Sequence, residues 1–517
     1  MADDTAAPIR VAFVHATGSK VPAWVPGLIK WLQEDPGFEL VGRLPGEPLA
    51  QVKRPFLLAA ERRALQLLRP HLFDDSLSAA LTALPELGDQ ARWGKTCFAD
   101  IAIALGACML PDPVRDALVR EEWSVALGGA PAHSADVSIM QAITSGQPTV
   151  PMTLLARGPG DTAARPVFTA QYNIKPSAVL TAESLEDQTL IFLQRALTCH
   201  RYDRPVNTGA TAPLCPDAVP ARARRTYAGH MVRALTGRII EKATEKLNLA
   251  RDGWRLHHGD GSGFDFDPAQ FMSVPSASTI MADPFFLEHE GALYVFYEVL
   301  ERRDQPAWIE VGRLDGDSFT PLGEALRCDY HLSFPFVFSD NGEVYMIPET
   351  HATNRLEVWR ATRFPNEWEL HATALEGQSP ADSFLFRQDK TWWLFTNLSK
   401  VERLPDHMSA LYLFKVDGPD LNEVKPHRLN PVIIGSDVAR NAGCILSWRG
   451  ALYRPSQLNA RGVYGYGLNL MRIDQLDGET YHETLVKQIT PTDLQGATGV
   501  HHISWATGKV IIDAYSE

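Results

Sequence analysis

The second half of the chain repeats one pattern five times, and this repeat limits the possible folds more than any other feature. In each copy a polar residue opens a strand, a turn follows, and a second strand continues with the pattern x-aromatic-apolar-apolar. The copies are ADPFFLEHEGALYVFYE, SFPFVFSDNGEVYMIPE, ADSFLFRQDKTWWLFTN, NAGCILSWRGALYRPSQ and GVHHISWATGKVIIDAY. Their anchor residues are Tyr294, Tyr345, Trp393, Tyr453 and Ile511. Units of about 50 residues, each long enough for one four-stranded sheet, are typical of a β-propeller. Residues 254–517 are therefore predicted to form an all-β five-bladed propeller, with a β-sandwich of accidentally similar hairpins as the alternative.

The first 202 residues have a different sequence pattern, in which strand-like and helical segments alternate. IRVAFV is a β-branched run, VPAWVPGLIKWLQED has helical apolar spacing, and FELVGRL is again strand-like. The alternation continues to TVPMTLLARG, which predicts a Rossmann-like α/β domain with a mostly parallel sheet. The turn after the first strand has one Gly instead of GxGxxG, so a dinucleotide site is not supported and no cofactor is expected.

Residues 203–253 are predicted to connect the two domains. The stretch 203–225 is rich in Pro, Ala and Arg, as linkers often are. TYAGHMVRALTGRIIEKATEKLNLA then predicts one amphipathic helix. The expected organisation is therefore 1–202, 203–253 and 254–517.

Composition and charge exclude several classes of function. A net charge of −13 argues against a nucleic-acid surface. The N-terminus is acidic and carries no secretion signal, and no segment approaches the roughly 18 apolar residues of a membrane span, so a cytoplasmic protein without a membrane span is expected. The six cysteines lie far apart without CxxC spacing, which favours reduced thiols over a disulfide framework or a metal site, and no metal is expected.

Alignment of the five copies on their anchors gives two positions of interest. Eleven residues before the anchor lie Asp283, Phe334, Asp382, Ala442 and Val500. Four residues after it lie Glu298, Glu349, Asn397, Gln457 and Tyr515. The innermost strand of every propeller blade lines one central channel, so a repeated register becomes a ring of side chains around one cavity. Carboxyl groups from three blades are thus expected to converge.

Paired carboxyl groups are what glycosidic chemistry requires, one protonated to donate to the leaving oxygen and one ionised to activate water or attack. The candidate catalytic residues are Asp283, Glu349, Asp382 and Glu298. The candidate substrate-binding residues are His331, Arg440, Arg454, Gln457, Asn397, His501 and His502. Arginines hold carboxylates or phosphates in a bidentate grip, so the expected substrate is a carbohydrate or sugar-containing small molecule that can be anionic. Successive strand residues face opposite ways, so at most one of His501 and His502 points into the channel.

A structural role is the alternative for the carboxyl groups, since Asp and Asn at blade mouths often satisfy backbone amides and tie neighbouring blades together. For Trp392 and Trp393, packing between blades outweighs stacking on a sugar.

The second half resembles known propeller families. Its acidic positions resemble those of family 43 and family 32 glycoside hydrolases. ADPFF, YMIPET, ADSFLF and YRPSQ resemble more closely the N-terminal propeller of the glucosamine inositolphosphorylceramide transferase family. The hydrolase resemblance implies that Asp283 is the base or nucleophile, that Asp382 tunes a pKa and that Glu349 is the acid, with Glu298 competing for that role.

Residues 100–195 resemble a degenerate formyltransferase fold. WSVALGG lacks the Asn of that family's Asn-x-His motif, and His133 is displaced from the position of the motif's His. Only Asp161 lies near the position of the family's downstream Asp. The departures make folate-dependent formyl transfer improbable.

Three functions stay open at this point. The first is a carbohydrate-active enzyme that acts on a glycosidic or sugar-phosphate bond in the channel, in the biosynthesis of a glycan, glycolipid or glycosylated metabolite. The second is formyl or other group transfer to an amino sugar by the N-terminal domain. The third is a non-catalytic glycan-binding or scaffold protein.

Overall fold

The chain divides into two compact units, residues 1–240 and residues 241–517. The computed structural model describes residues 7–50, 54–73, 78–87, 99–131, 134–204, 221–246, 253–261, 263–275, 280–301, 305–400, 403–494 and 496–516. Cys97, Cys215 and His133 lie outside these residues. The thiols of Cys108, Cys199, Cys328 and Cys444 are free.

The first unit contains a mixed sheet with helices. Its strands are β1 (Ile9–His15), β2 (Phe38–Pro45), β3 (Glu47–Pro48), β4 (Ile101–Ala104), β5 (Cys108–Met109), β6 (Glu121–Leu127), β7 (Ala130–Pro131), β8 (Thr149–Arg157) and β9 (Arg165–Asn173). Its helices are α1 (Val25–Glu34), α2 (Phe56–Leu68), α3 (Ser78–Thr82), α4 (Asp112–Arg115), α5 (Ala135–Thr144), α6 (Ala178–Arg201) and α7 (Ala221–Lys246). The main sheet has the order β2-β1-β4-β6-β8-β9, with β7 beside β6, and β3 pairs with β5 separately.

Parallel pairing is confined to one half of the main sheet. The pairs β1/β2, β1/β4 and β4/β6 are parallel, whereas β6/β8 and β8/β9 are antiparallel. The central strand β4 reads IAIA and is wholly buried, as expected for a strand covered on both faces. Helix α1 buries Val25, Leu28, Ile29 and Leu32, which lie three or four residues apart on one face. The unit has α/β character, but its sheet is mixed instead of mostly parallel as predicted, and the Rossmann-like and formyltransferase-like folds stay predictions.

Helix α7 starts at Ala221, inside the segment predicted as a linker. Its Tyr227 is fully buried against the first unit. The Tyr227 hydroxyl donates to Glu61 Oε2 at 2.8 Å and accepts from the Ala178 amide at 2.7 Å. The first half of the helix is therefore part of the first unit, and the division between units falls within α7.

The second unit is a β-propeller. Its strands are β10 (Gly253–Asp260), β11 (Met272–Ser273), β12 (Ile280–His289), β13 (Ala292–Leu300), β14 (Trp308–Asp315), β15 (Ser318–Leu326), β16 (Ser333–Asp340), β17 (Glu343–Glu349), β18 (Leu356–Arg363), β19 (Glu367–Ala374), β20 (Pro380–Gln388), β21 (Thr391–Leu398), β22 (Ala410–Val416), β23 (Val424–Pro426), β24 (Ile433–Ile434), β25 (Leu446–Trp448), β26 (Ala451–Ala460), β27 (Val463–Leu476), β28 (Tyr481–Ile489), β29 (Ala497–Ala506) and β30 (Lys509–Ser516). They form five separate sheets, β12 to β15, β16 to β19, β20 to β24, β25 to β28 and β11-β10-β30-β29. The predicted five-bladed propeller is confirmed, and the sandwich alternative is wrong.

The fifth blade closes the ring with strands from both ends of the unit. β10 pairs with β30 along its whole length, from Gly253 opposite Ser516 to Asp260 opposite Lys509. The inner strand β29 packs against β12, β12 packs against β16, and β16 packs against β20. Closure of this kind removes the open edges of the array.

The repeated register is the same in all five blades. The residue seven positions before each anchor pairs with that anchor, as in Leu287 with Tyr294 and Ser504 with Ile511. The same pairing holds in the other three blades. Homologous positions of the repeat therefore face the same cavity. Among the described residues, no helix is both long and apolar enough to span a membrane.

Candidate functional site

A β-bulge near the start of the inner strands positions the first acidic ring. The ladder shifts register between residues 282 and 285, 333 and 336, and 381 and 384. The bulged residues Asp283, Phe334 and Asp382 have φ values of 51°, 46° and 45°. Positive φ costs a residue other than Gly conformational energy, and bulges re-aim side chains next to functional sites. Blades one and three thus present an Asp where blade two presents Phe334.

Asp283 belongs to a buried cluster with His501 and Asp513 from the fifth blade. His501 Nδ1 lies 2.7 Å from Asp513 Oδ2, and His501 Nε2 lies 3.6 Å from Asp283 Oδ1. Asp513 also accepts the backbone amides of Asp283, His501 and His502 at 2.9, 3.2 and 2.9 Å. Trp254 stacks on His501 with ring centroids 3.9 Å apart. This arrangement fixes the imidazole between two carboxyl groups.

Arg440 joins a second cluster across blades two, three and four. Its guanidinium donates to both oxygens of Asp382, at 2.5 Å from Nε and 3.1 Å from Nη2, and Nη2 lies 3.4 Å from Glu349 Oε2. His351 Nδ1 lies 2.7 Å from Glu349 Oε1. Asp382 is therefore paired with a guanidinium, and Glu349 contacts both a guanidinium and an imidazole.

Glu298 lies on β13, the strand paired with the inner strand of blade one, and has a single imidazole contact. His331 Nε2 lies 3.4 Å from Glu298 Oε1, and His331 Nδ1 accepts the Ala307 amide at 3.3 Å. Glu298 pairs across the ladder with Ala282, the residue before Asp283. Asp283 and Glu298 are thus neighbours on one hairpin.

Several polar groups of the ring also tie neighbouring blades. Asp283 Oδ2 accepts the Phe334 amide at 3.1 Å, and Glu349 Oε2 accepts the Asp382 amide at 3.3 Å. Asn397 Oδ1 accepts the amide of Asn441 at 3.0 Å. Buried amides need such acceptors, so the ring has a structural role in addition to any chemical one.

The electrostatic environment displaces the pKa values of these groups in different directions. Burial raises the pKa of Asp283 well above its ordinary value, against the lowering effect of His501. Burial likewise raises the pKa of Asp382, opposed by Arg440. Burial also disfavours ionised Glu349, but His351 and Arg440 outweigh it, so the pKa of Glu349 is lowered. The pKa of His501 is raised because Asp513 and Asp283 outweigh burial.

Other predicted binding residues lie where a ligand has little access. Arg454 has a side chain that is 0% exposed and is paired with Glu483, from Nη2 at 2.6 Å and from Nε at 2.9 Å. Asn397 is fully buried and donates to the carbonyl oxygens of Ala410 and Ala439. His502 is fully buried, and burial lowers its pKa to about 3. These contacts indicate supporting roles.

Gln457 is 2% exposed and donates to the Tyr464 hydroxyl at 3.4 Å. In the first unit, Asp161 accepts the amide of Gly158 at 2.7 Å and so closes its own turn.

Four residues of the site were missed by the sequence analysis. Asp513 lies two residues after its anchor instead of four, and the bulge of the fifth blade, between Val500 and Ile503, lies one residue closer to its anchor than the bulge of blade one. The lone acid in the apolar strand KVIIDAY was the available signal. The other three, Trp254, Tyr464 and His351, lie outside the aligned positions. Tyr464 is 40% exposed, and Arg440 Cζ lies 5.2 Å from its ring centroid.

Asp283, His501 and Asp513 also satisfy the spacing of a metal site, with one ligand atom from each lying within 4.8 Å of the others. Carboxylate and imidazole donors suit several divalent cations. However, Asp513 already accepts three backbone amides, which leaves its oxygens little capacity for a cation. The described residues therefore fit hydrogen bonding better than metal coordination.

Comparisons with known proteins match the propeller. Residues 267–502 match the family model described as glucosamine inositolphosphorylceramide transferase 1, N-terminal. The protein of that name from Oryza sativa subsp. indica is 35% identical over 213 residues, which cover 40% of this chain and 28% of that protein. The Arabidopsis thaliana protein is 33% identical over 229 residues, covering 42% of this chain and 28% of its own length. The chain thus spans less than a third of these curated relatives.

Solved structures with similarity to the chain include glycoside hydrolases. A thermostable family 43 glycoside hydrolase has a TM-score of 0.36 at 15% identity and covers 46% of this chain and 88% of its own. A family 117 glycoside hydrolase from the marine bacterium Zobellia galactanivorans has a TM-score of 0.34 at 12% identity, covering 51% and 90%.

Proposed function

We propose that the propeller channel is a carbohydrate site in which Asp283 and Glu298 act as an acid and base pair. The observation that carries the proposal is the division of the four candidate carboxyl groups. Arg440 donates to Asp382 and Glu349, whereas His501 lies beside Asp283 and His331 lies beside Glu298. Two carboxyl groups in different environments are the usual basis of acid and base assignment.

The proposed roles follow from the protonation states. A raised pKa keeps the proton on Asp283, which donates it to the glycosidic oxygen as the bond between the sugar carbon and that oxygen breaks. Glu298 accepts a proton from the attacking water or acceptor hydroxyl. His501 holds the Asp283 carboxyl, and the pair of Arg440 with Asp382 and Glu349 fixes the opposite wall. This assignment moves the acid from Glu349 to Asp283.

The charge of the channel favours a neutral or amino sugar over an anionic one. Among the described residues of the channel, five carboxyl groups accompany one guanidinium, that of Arg440, which already contacts two of them, so the carboxyl groups outnumber it even with Asp283 protonated. The acids are Asp283, Glu298, Glu349, Asp382 and Asp513. The name of the similar plant proteins includes glucosamine, an amino sugar, which agrees with this choice.

The test is a turnover screen of the full chain against aryl glycosides and amino-sugar phosphates, with Asp283→Asn, Glu298→Gln and the exposed control Asp317→Asn. Loss of about 100-fold or more in kcat is expected for the first two variants and none for the control. The basic limb of the pH profile should belong to Asp283, since its proton is needed and its pKa is raised. Full turnover in Asp283→Asn would refute the proposal.

A non-catalytic glycan-binding function is the second candidate, and the ties between blades favour it. It predicts saturable sugar binding by calorimetry with no product from any substrate in the screen.

A further inference from the structure

The first unit contains a cavity of about 400 Å³ at the carboxyl ends of its parallel strands. The loop after β1 contributes Gly18 to Lys20, and the loop after β4 contributes Gly106 and Ala107. After β1 the chain first adds β2 on one side of β1 and later adds β4 on the other side, so the direction in which strands are added reverses at β1. Ligands of open α/β sheets bind in the crevice at such a point of reversal. The volume is within the range of small-molecule sites.

Two arginines reach this cavity from buried acidic supports. Arg54 donates from Nε to Asp136 Oδ2 at 2.8 Å, and Arg62 Nη2 lies 3.2 Å from Glu183 Oε1. Side chains of Asp136 and Glu183 are only 2% and 3% exposed, whereas those of Arg54 and Arg62 are 36% and 26% exposed. The carboxylates are therefore enclosed, whereas the two arginine side chains are partly exposed.

Burial of two carboxylates carries a desolvation cost, so each needs a well-placed charged partner. An acidic support also holds a guanidinium in one orientation, so less entropy is lost when it binds an oxyanion. Both arginines line the cavity, and Lys20 lines it from the loop after β1. The two acidic lining residues are Glu183, paired with Arg62, and Glu186.

The rest of the cavity wall is suited to an organic body attached to the anionic group. Trp24, Leu49, Val125 and Leu127 line it. A Cβ atom at Gly18 or Gly106 would meet nothing within 4 Å, so both loops leave open space on the cavity side. Both glycines have positive φ, which keeps the loops free of side chains there.

We propose that this cavity binds a small organic molecule through a phosphate or carboxylate group held by Arg54 and Arg62. The site is separate from the proposed sugar site, because every lining residue lies in the first unit. It is a binding site for an oxyanion, and no catalytic step is assigned to it.

The test is calorimetric titration of the full chain with inorganic phosphate, adenosine 5′-monophosphate and succinate. Saturable binding of at least one probe is expected, weakening with added NaCl because charges attract the ligand. Preference for the nucleotide over phosphate would show that the apolar wall contributes, and preference for succinate would identify a carboxylate ligand.

The variants are Arg54→Gln and Arg62→Gln, and the matched control is exposed Arg63→Gln, which lies beside Arg62 on α2. Affinity should fall about tenfold or more in the first two and stay unchanged in the control. Since Arg62→Gln leaves a buried carboxylate without its partner, Ala107→Phe provides a second variant that fills the cavity without changing charge. Absence of binding by all three probes, or binding that survives both Arg62→Gln and Ala107→Phe, would overturn the proposal.

Discussion

Replacement of Asp513 by Ala should destabilise the propeller more than replacement of any exposed acid. The Asp513 side chain is 0% exposed and accepts three backbone amides, those of Asp283, His501 and His502, at 2.9 to 3.2 Å. Alanine leaves all three donors buried without an acceptor. An unsatisfied buried donor costs about 1–3 kcal/mol, so the free energy of unfolding should fall by at least about 3 kcal/mol.

The assay is differential scanning calorimetry of the full chain, in which the transition of the second unit is followed. A loss of about 1 kcal/mol lowers Tm by about 2–4 °C in a domain of this size, so the expected decrease is at least about 6 °C. Exposed Asp317→Ala is the control and should lower Tm by at most about 4 °C, since it removes one surface ion pair with Lys509. A decrease below about 2 °C in Asp513→Ala would refute the argument that these amides depend on one carboxylate.

The remaining predictions concern charge and recognition. The pair of His501 and Asp513 should stabilise the fold fully below about pH 6.5, the pKa of His in the unfolded chain. This contribution should be lost as pH rises through the raised pKa of His501 in the folded protein. Chemical denaturation between pH 6 and 9 should show an unfolding free energy that falls with pH, and Asp513→Asn should remove this fall. Arg454→Ala should cost about 3–5 kcal/mol in unfolding experiments because it leaves Glu483 buried without its partner, yet sugar affinity of the folded fraction should not change. Tyr464→Ala should weaken sugar binding about tenfold in calorimetry and leave Tm nearly unchanged, since this ring is 40% exposed.

The propeller could be predicted from sequence because its information is local and repeated. Each blade encodes the same hairpin, and the pairing of Leu287 with Tyr294 recurs at the same offset in every copy. Closure by β10 could not be obtained from the repeat, since that strand precedes the first copy and pairs with β30 at the far end of the unit. The displaced bulge at Val500 to Ile503 could not be predicted either, nor could the acid Asp513, which lies two residues before the aligned Tyr515.

The sequence was sufficient to identify the acids that share the channel, but not the chemical role of each acid. Sequence spacing brought Asp283, Glu298, Glu349 and Asp382 to one channel because the blades share a register. The role of each acid depends on which one Arg440 contacts, and that is decided by the reach of a long side chain across two blades. No local pattern encodes such a contact, so Glu349 was expected to be the acid although its environment lowers its pKa.

Asp283 combines a structural and a proposed chemical task, and two substitutions separate them. Its Oδ2 accepts the Phe334 amide, which an asparagine amide oxygen can also accept, whereas alanine cannot. Asp283→Asn should therefore keep Tm close to that of the wild type while turnover is lost. Asp283→Ala should lose both, with an additional stability cost of about 1–3 kcal/mol for the unsatisfied amide. If both variants lose stability equally and sugar binding persists, the carboxyl group serves the scaffold, and the acid would have to be sought among the other carboxyl groups of the channel.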